Sequence, residues 1–313
     1  MEIFGPVQSR RFGMSLGINH LPPKVCSYAC VYCQLGRTNF LTILPANFSQ
    51  PDEIYRAVKN RLEELADPPD YLTFVSNGEP SLDTSLGKAI ELLKCLDIPI
   101  AVISNASLLW KAETRSQLMQ ADAVSLKVDA VEKIAWRRIN RPHGRLKLEQ
   151  VLQGTKDFAQ KYKGRLLTET MLVKGINTSP EQIEACAKFI AGLQPEMAYL
   201  ALPLRSPAED WVEAPSEQDI TRAQRIFSEH FSRCALMADL PETGLSASDD
   251  PLQSLLNTIK VHPMEETEVR AYMRENHIAA ERLEELVQGK QIQASDHRGK
   301  TFYSIRYEPT RRN

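Results

Sequence analysis

Three cysteines, Cys26, Cys30 and Cys33, stand close together in the stretch CSYACVYCQ. Thiolates are soft ligands that favour zinc, copper(I) or iron–sulfur clusters. A structural zinc site closes with four ligands, so His20 or a more distant residue would have to complete it. A cube of four irons and four sulfides normally takes four cysteines. Held by three, it keeps one iron open to a substrate or cofactor. The C-x3-C-x2-C spacing leaves both readings standing. The other cysteines, Cys95, Cys186 and Cys234, lie in the apolar contexts LLKCLDI, IEACAKF and SRCALMA and read as small buried core residues. A disulfide scaffold does not suit a chain of 313 residues with no export signal.

Further polar residues fall where chemistry could use them. Asn77, Gly78, Glu79 and Pro80 form NGEP, which is good turn chemistry and carries a glycine that a ligand could approach closely. Ser104 and Asn105 end an apolar run, and Asn105 could equally cap the following turn. Lys127 and Asp129 are two apart in SLKVDA, so on a strand they share one face. A charged pair pointing inward needs partners, and a simple ion pair at a strand end is the other reading. Arg10, Arg11, Arg137, Arg138, Arg141 and Arg205 lie near expected strand ends and could grip carboxylate or phosphate. WRRINRPHGR (136–145) could hold an anionic substrate, or be a solvated helix end whose cations favour the helix dipole. His143 is a candidate proton-transfer group or an incidental loop residue.

These residues need a frame. Pro51 opens a helix with Ile54, Val58, Leu62 and Leu65 on one face. Strand and helix patterns then alternate. Strands are expected at SLGINHL (15–21), YLTFVS (71–76), IPIAVIS (98–104), ADAVSLKVDA (121–130), RLLTETMLVKG (165–175) and MAYLALPL (197–204). Helices follow near 85–96, 112–119, 131–140, 148–162, 180–190 and 217–231. About six βα units predict a parallel sheet with right-handed crossovers. Either a doubly wound sheet or an open partial barrel would place chemistry at the carboxyl ends of the strands. After Leu240, PETGLSASDDP (241–251) reads as a linker. Two helices, 265–276 and 279–288, and a hairpin around DHRGK then suggest a small winged-helix domain.

Composition excludes some classes of function. The protein is 42% hydrophobic and 25% charged, with a net charge of -2, so no overall field draws it to nucleic acid or anionic lipid. A local basic patch is not excluded. No apolar run approaches the roughly 20 residues of a membrane helix. MEIFGPVQSRRFG lacks the apolar core of a secretory signal, and a cytoplasmic location is expected. On the second tail helix, Glu281, Glu284 and Glu285 outnumber Arg282, which opposes phosphate contact. Arg298, Lys300 and Arg306 in the hairpin region keep RNA open, and protein recognition or capping of the barrel are the alternatives.

The cysteine spacing, with the aromatic Tyr32 before Cys33, resembles the signature of the radical S-adenosylmethionine enzymes. GPVQSRR, SLGI and VCSYACVYCQLG, followed in order by SNGEPSL, SNASLL, LKVDA, VKGIN and PLRSPAEDWV, are similar to one branch, the iron–sulfur oxidoreductases related to wyosine-base tRNA enzymes. The resemblance covers most of residues 3–240. It implies an α/β fold, a partial (βα)6 barrel over 1–240, a linker at 241–251 and a winged-helix-like domain over 252–313. It further implies that Cys26, Cys30 and Cys33 hold a [4Fe–4S] cluster and that S-adenosylmethionine chelates the fourth iron. Cleavage of that cofactor to a 5′-deoxyadenosyl radical, with hydrogen abstraction from an RNA or a protein/peptide, is the implied reaction. The electron would come from a one-electron reductant such as flavodoxin or ferredoxin. Cofactor-binding roles are implied for Tyr32, Asn77, Gly78, Glu79, Pro80, Ser104, Asn105, Lys127, Asp129 and Ile176. Asn77 stands where the branch usually has glycine. A zinc-stabilised winged-helix binding or regulatory protein is the competing reading.

Overall fold

The computed structural model describes residues 1–237, 250–297 and 299–305. Its centre is an eight-stranded sheet. A hairpin of β1 (Glu2–Ser9) and β2 (Gly13–Asn19) opens the chain, and a short parallel pair, β3 (Val25–Cys26) and β4 (Phe40–Leu41), flanks the cysteine loop. Helix α1 (Pro51–Glu63) leads to β5 (Tyr71–Phe74), α2 (Leu86–Leu93), β6 (Ile100–Ser104), α3 (Ala112–Leu118) and β7 (Ala123–Lys127). Two helices, α4 (Lys133–Asn140) and α5 (Leu148–Lys161), precede β8 (Arg165–Met171). Then come α6 (Pro180–Leu193), β9 (Met197–Ala201), α7 (Glu217–His230) and β10 (Cys234–Leu236).

The sheet order is β1-β2-β5-β6-β7-β8-β9-β10. From β2 onward every pairing is parallel, and only β1 runs against its neighbour. The six expected βα units are present, with β10 as a seventh parallel strand. The sheet is of the open, partial-barrel kind, with β1 and β10 as its edges. The expected strands are shorter than the apolar runs that announce them, because Val75–Ser76, Val128–Asp129 and Leu172–Lys174 already belong to loops.

Alternation along the strands sorts the residues into two layers. Leu72, Phe74, Ile100, Val102, Val124 and Leu126 face the helices and pack on Ile54, Val58, Leu86 and Ile90. The opposite face carries Ala101, Ala123, Leu167 and Tyr199 around Phe12. Further along the same face come Ser125, Lys127 and Glu169, with Lys127 beside Glu169 in register. The concave face is thus apolar toward the amino ends of the strands and charged toward their carboxyl ends.

The tail contains one element more than expected on each count. Helix α8 (Pro251–Val261) precedes β11 (Met264–Glu265), α9 (Glu266–Glu275), α10 (Glu281–Gln288), β12 (Gln293–His297) and β13 (Lys300–Ser304). The strands form an antiparallel sheet in the order β11-β13-β12. Leu255, Ile259, Val269, Leu283 and Tyr303 make its core, against which Val7 of β1 packs. Most of the expected linker, together with Arg298 and Arg306, lies outside the described residues. Of the cysteines expected in the core, Cys186 is buried and Cys234 half-buried, but Cys95 is exposed, since it falls in the last turn after α2. Among the described residues, no helix is long and apolar enough to cross a membrane.

Candidate active site

Cys26 ends the short strand β3, and Cys30 and Cys33 lie on the loop that follows, between β2 and α1 at the carboxyl ends of the parallel strands. The loop is tied down from several sides. Val31 N–H donates to Ile139 O and Ala29 N–H to Asn140 O, both at 3.0 Å, so the end of α4 finds its backbone partners in the cysteine loop. His143 N–H donates to Ser27 O at 2.9 Å. Val25, Tyr28 and Val31 anchor the loop in an apolar cluster with Trp136, Ile139 and Ile176, against which Cys26, Cys30 and Tyr32 pack.

Each cysteine sulfur faces its own side-chain N–H. Asn105 Nδ2 donates to Cys26 Sγ at 3.5 Å, Asn140 Nδ2 to Cys30 Sγ at 3.4 Å, and Lys24 Nζ to Cys33 Sγ at 3.2 Å. Hydrogen-bond donors aimed at sulfur suit thiolate ligands, whose electronic properties such contacts tune. Without a cation, burial pushes the Cys30 thiol up to about 12, with Asp129 adding to the rise. Burial also raises Cys26, helped by the nearby Cys30 and Glu79. Loading a positive metal group would therefore release protons from this loop.

The donor set fits an iron–sulfur cluster better than a single ion. Bonds of about 2.3 Å to one zinc would draw three sulfurs to within about 4 Å of each other. Among the described residues, no three Cys, His, Asp or Glu side chains are gathered to hold one ion. His20, the nearest candidate for a fourth zinc ligand in the sequence, is turned elsewhere. It is fully buried, edge-on to Phe74, with Nδ1 3.1 Å from Ser76 Oγ and Nε2 3.8 Å from Asp83.

The NGEP turn follows β5. Gly78 is required there by packing: a Cβ would sit 1.8 Å from the Val25 carbonyl oxygen. The close approach that the glycine permits is thus to the strand entering the cysteine loop. Asn77 O accepts the Lys24 N–H at 2.8 Å, and Pro80 opens a short 3-10 turn. Glu79 is buried and accepts from Ser81 N, Ser81 Oγ, Ser104 Oγ and Asn105 N at 2.5 to 3.1 Å. Burial raises its pKa, and these donors oppose the rise. Glu79 therefore clasps the ends of β5 and β6 together, which brings three of the residues singled out in sequence, Glu79, Ser104 and Asn105, into one hydrogen-bonded unit.

A second unit joins β7 and β8. Asp129 accepts from Tyr32 OH, from Asn140 Nδ2 at 2.7 Å and from Met171 N at 2.8 Å. Lys127 Nζ reaches Glu169 at 2.7 Å and Asp129 at 3.8 Å, and lies 4.8 Å from the centre of the Tyr32 ring. Burial works against the Lys127 charge, but the two carboxylates raise its pKa overall. Burial would push the Glu169 carboxyl up, yet Arg11 and Lys127 bring it down to about 2. Ile176 is buried in the loop after β8, beyond Gly175 with its φ of +69°.

Several expectations about the arginines change. Arg11 sits in the β1–β2 turn, at the amino ends of the strands, and pairs with Glu169. Arg141 and Arg37 both bind Glu209, at 2.5 and 3.1 Å. Arg205 reaches Gln34 and the tail residue His262, each at 3.4 Å. His143 accepts the Arg145 N–H at 3.2 Å within its own turn. Sequence reading passed over Lys24, Asn140, Glu169 and Glu209. The one advance signal was Glu169, a charge inside the buried strand LLTETM.

Residues 21–190 match the Radical SAM superfamily. A UPF0026 protein of Methanocaldococcus jannaschii is 40% identical over 303 residues, covering 96% of this chain and 94% of that protein. A radical SAM methyltransferase from Sphaerobacter thermophilus superposes with a TM-score of 0.55 at 16% identity, over 71% of this chain and 65% of that one. TYW1 with a lysine-pyruvate adduct bound gives a TM-score of 0.53 at 17% identity, over 72% and 76%. Both structural likenesses bear on the fold alone. The chain belongs to the radical SAM superfamily and within it to the UPF0026 proteins, so it is an enzyme of a superfamily whose cofactors are S-adenosylmethionine and an iron–sulfur cluster.

Proposed function

We propose that the protein uses Cys26, Cys30 and Cys33 to hold a [4Fe–4S] cluster, and that it removes a hydrogen atom from an RNA substrate. When bound and reduced by one electron, that cluster supplies reductive cleavage of S-adenosylmethionine to methionine and a 5′-deoxyadenosyl radical. The observation that carries the assignment is the trio of half-buried thiols, each facing a side-chain N–H. The chain's own part is to bind, orient and exclude water. Backbone carbonyls of Asn77, Gly78 and Pro80 and the carboxylate of Glu79 suit an ammonium group. Ser104 and Asn105 suit a ribose or carboxylate. Lys127 would meet the cofactor carboxylate while Asp129 and Tyr32 hold it in place. Ile176 offers an apolar surface to adenine. A flavodoxin or ferredoxin is the proposed electron donor.

The RNA assignment rests on the segment RRINRPHGRLK (137–147), which has no acidic residue and is tied to the cysteine loop. Arg137, Arg138, Arg141 and Arg145 are exposed there. Arg138 and Arg141 flank a hollow of about 340 Å3 with Trp211, which is 50% exposed. Arginines beside an open aromatic ring are the usual means of gripping phosphate and stacking on an unpaired base. The tail, taken as a winged-helix-like domain over residues 252–313, is read as a cap on the 1–240 barrel, with 241–251 as the link. It offers Glu281, Glu284 and Glu285 on α10, which does not suit phosphate.

Anaerobic reconstitution should give iron and sulfide near four per chain. With S-adenosylmethionine and a reductant it should release 5′-deoxyadenosine, and Cys30→Ala should abolish that release while the protein stays soluble. Retained cleavage by Cys30→Ala would refute the cluster assignment. Nucleoside mass spectrometry of cellular RNA, with and without the gene, should show loss of one modified nucleoside. An unchanged RNA profile beside an altered protein or peptide would move the substrate to that class.

A further inference from the structure

Lys24 is an unusual residue for its place. Its side chain is buried, with the residue only 2% exposed, two positions before the first cysteine. Its backbone is left-handed, at a φ of +62°, a conformation that a long side chain rarely adopts. Neighbouring chain enforces it: Lys24 N–H donates to Asn77 O at 2.8 Å, and Lys24 O accepts from Phe40 N–H at 3.2 Å. The consequence is that Nζ donates to Gly36 O at 2.6 Å and to Cys33 Sγ at 3.2 Å. The donors on the other two sulfurs are neutral amides, so the contact on Cys33 is the charged one of the three.

Around the other two sulfurs the charges nearest at hand are carboxylates, for Lys127, which also acts on Cys30, is itself held by Glu169 and Asp129. Glu79 lies near Cys26 and Asp129 near Cys30, close enough for both carboxylates to act on those thiols. One-electron reduction adds a negative charge to a buried group already ringed by thiolates and these two acids. Burial makes that addition costly, and a fixed cation in contact with one ligand sulfur offsets it. The Gly36 carbonyl fixes the ammonium on its far side, so the charge is held at Cys33 and does not swing into solvent.

We infer that Lys24 is a positioning residue whose buried ammonium, set against the Cys33 sulfur, makes the cluster easier to reduce. This rests on the cluster assignment made above. The test is an electron paramagnetic resonance titration of the full chain, anaerobically reconstituted and reduced stepwise with dithionite. Lys24→Met and Lys24→Gln are compared with the unmodified protein and with Lys24→Arg. Both neutral variants should keep their iron, and at a fixed potential their reduced-to-oxidised ratio should fall about tenfold, a midpoint about 59 mV more negative. Lys24→Arg should stay within a third of that shift. A native midpoint in either iron-loaded neutral variant would overturn the inference. So would loss of the cluster from both neutral variants while Lys24→Arg loads normally, because Lys24 would then serve cluster retention alone. Failure of the unmodified protein to take up iron would instead sink the cluster assignment itself.

Discussion

Gly78 shows how one absent side chain can join two motifs. The NGEP turn and the strand entering the cysteine loop touch through backbone alone, with Glu79 N–H on Val25 O at 3.0 Å. In Gly78→Ala the new methyl would have to displace Val25, and Cys26 with it. Overpacking of this kind costs about 1–3 kcal/mol. The urea midpoint of the metal-free protein should fall accordingly, and reconstituted iron should fall with it; a native midpoint would show that the contact is slack. His20 gives a second test at this scale. Burial brings its pKa down to about 4, with Asp83 pulling the other way. The unfolded chain, titrating near 6.5, therefore binds the proton first. Stability that is present above pH 6.5 is lost as pH falls toward 4, and the loss should be visible in metal-free protein as a falling midpoint. His20→Asn should flatten the slope in that window, and an unchanged slope would place the titrating group elsewhere.

At the scale of elements, α4 is the seat of the cysteine loop. Its last carbonyls accept from Val31 and Ala29, and its last residue, Asn140, bridges Asp129 and Cys30 through one amide. Asn140→Ala keeps the backbone bonds and removes the bridge. Asp129 would then be a buried carboxylate short of one donor, at a cost of about 1.5–3 kcal/mol for a bond to a charged group. Urea unfolding of the metal-free protein measures it, and a change under about 0.5 kcal/mol would mean that the bridge is idle. Such pairings mark the limit of what a sequence discloses. The cysteines and the alternating strands and helices are legible because spacing and periodicity are local. Lys24, Asn140 and Glu169 gain meaning only from partners that folding brings to them, 9 residues away for Lys24 and 158 for Glu169. Strand β1 escaped notice because Gly5 and Pro6 interrupt its apolar run, and its pairing with β2 carries an irregularity between Phe4 and Val7. Helix α8 went unexpected at the start of the tail domain although Asp250 and Pro251, at the end of the expected linker, form a start signal, with the Asp250 carboxylate accepting Gln253 N–H at 3.0 Å.

At the scale of the whole molecule, the tail packs on that same β1. β1 is an edge strand, and an uncovered edge invites pairing with other chains. Helix α8 lies against it, with Val7 entering the tail's core and Lys260 3.9 Å from Glu2. The tail also meets the loop after β9, where Ser295 Oγ is 3.0 Å from Ser206 Oγ and His297 Nε2 3.4 Å from Pro203 O. Between this seam and the cysteine loop lies a cavity of about 630 Å3, walled by Gln34, Arg37, Asp210, Lys260 and His297. The tail is therefore part of the barrel's packing as well as a wall beside its chemistry. A chain ending at residue 237 should lose the cover on β1 and expose Val7. Its melting temperature should drop by several degrees, as about 1–2 kcal/mol would produce in a domain of this size, and light scattering should rise with protein concentration. Restoring residues 250–313 as a separate chain should not reverse this at micromolar concentration, because tethering supplies the effective concentration that keeps a small interface closed. A truncated protein that melts at the native temperature and stays monomeric would mean that the tail is a passenger on an already complete barrel, and that β1 needs no cover.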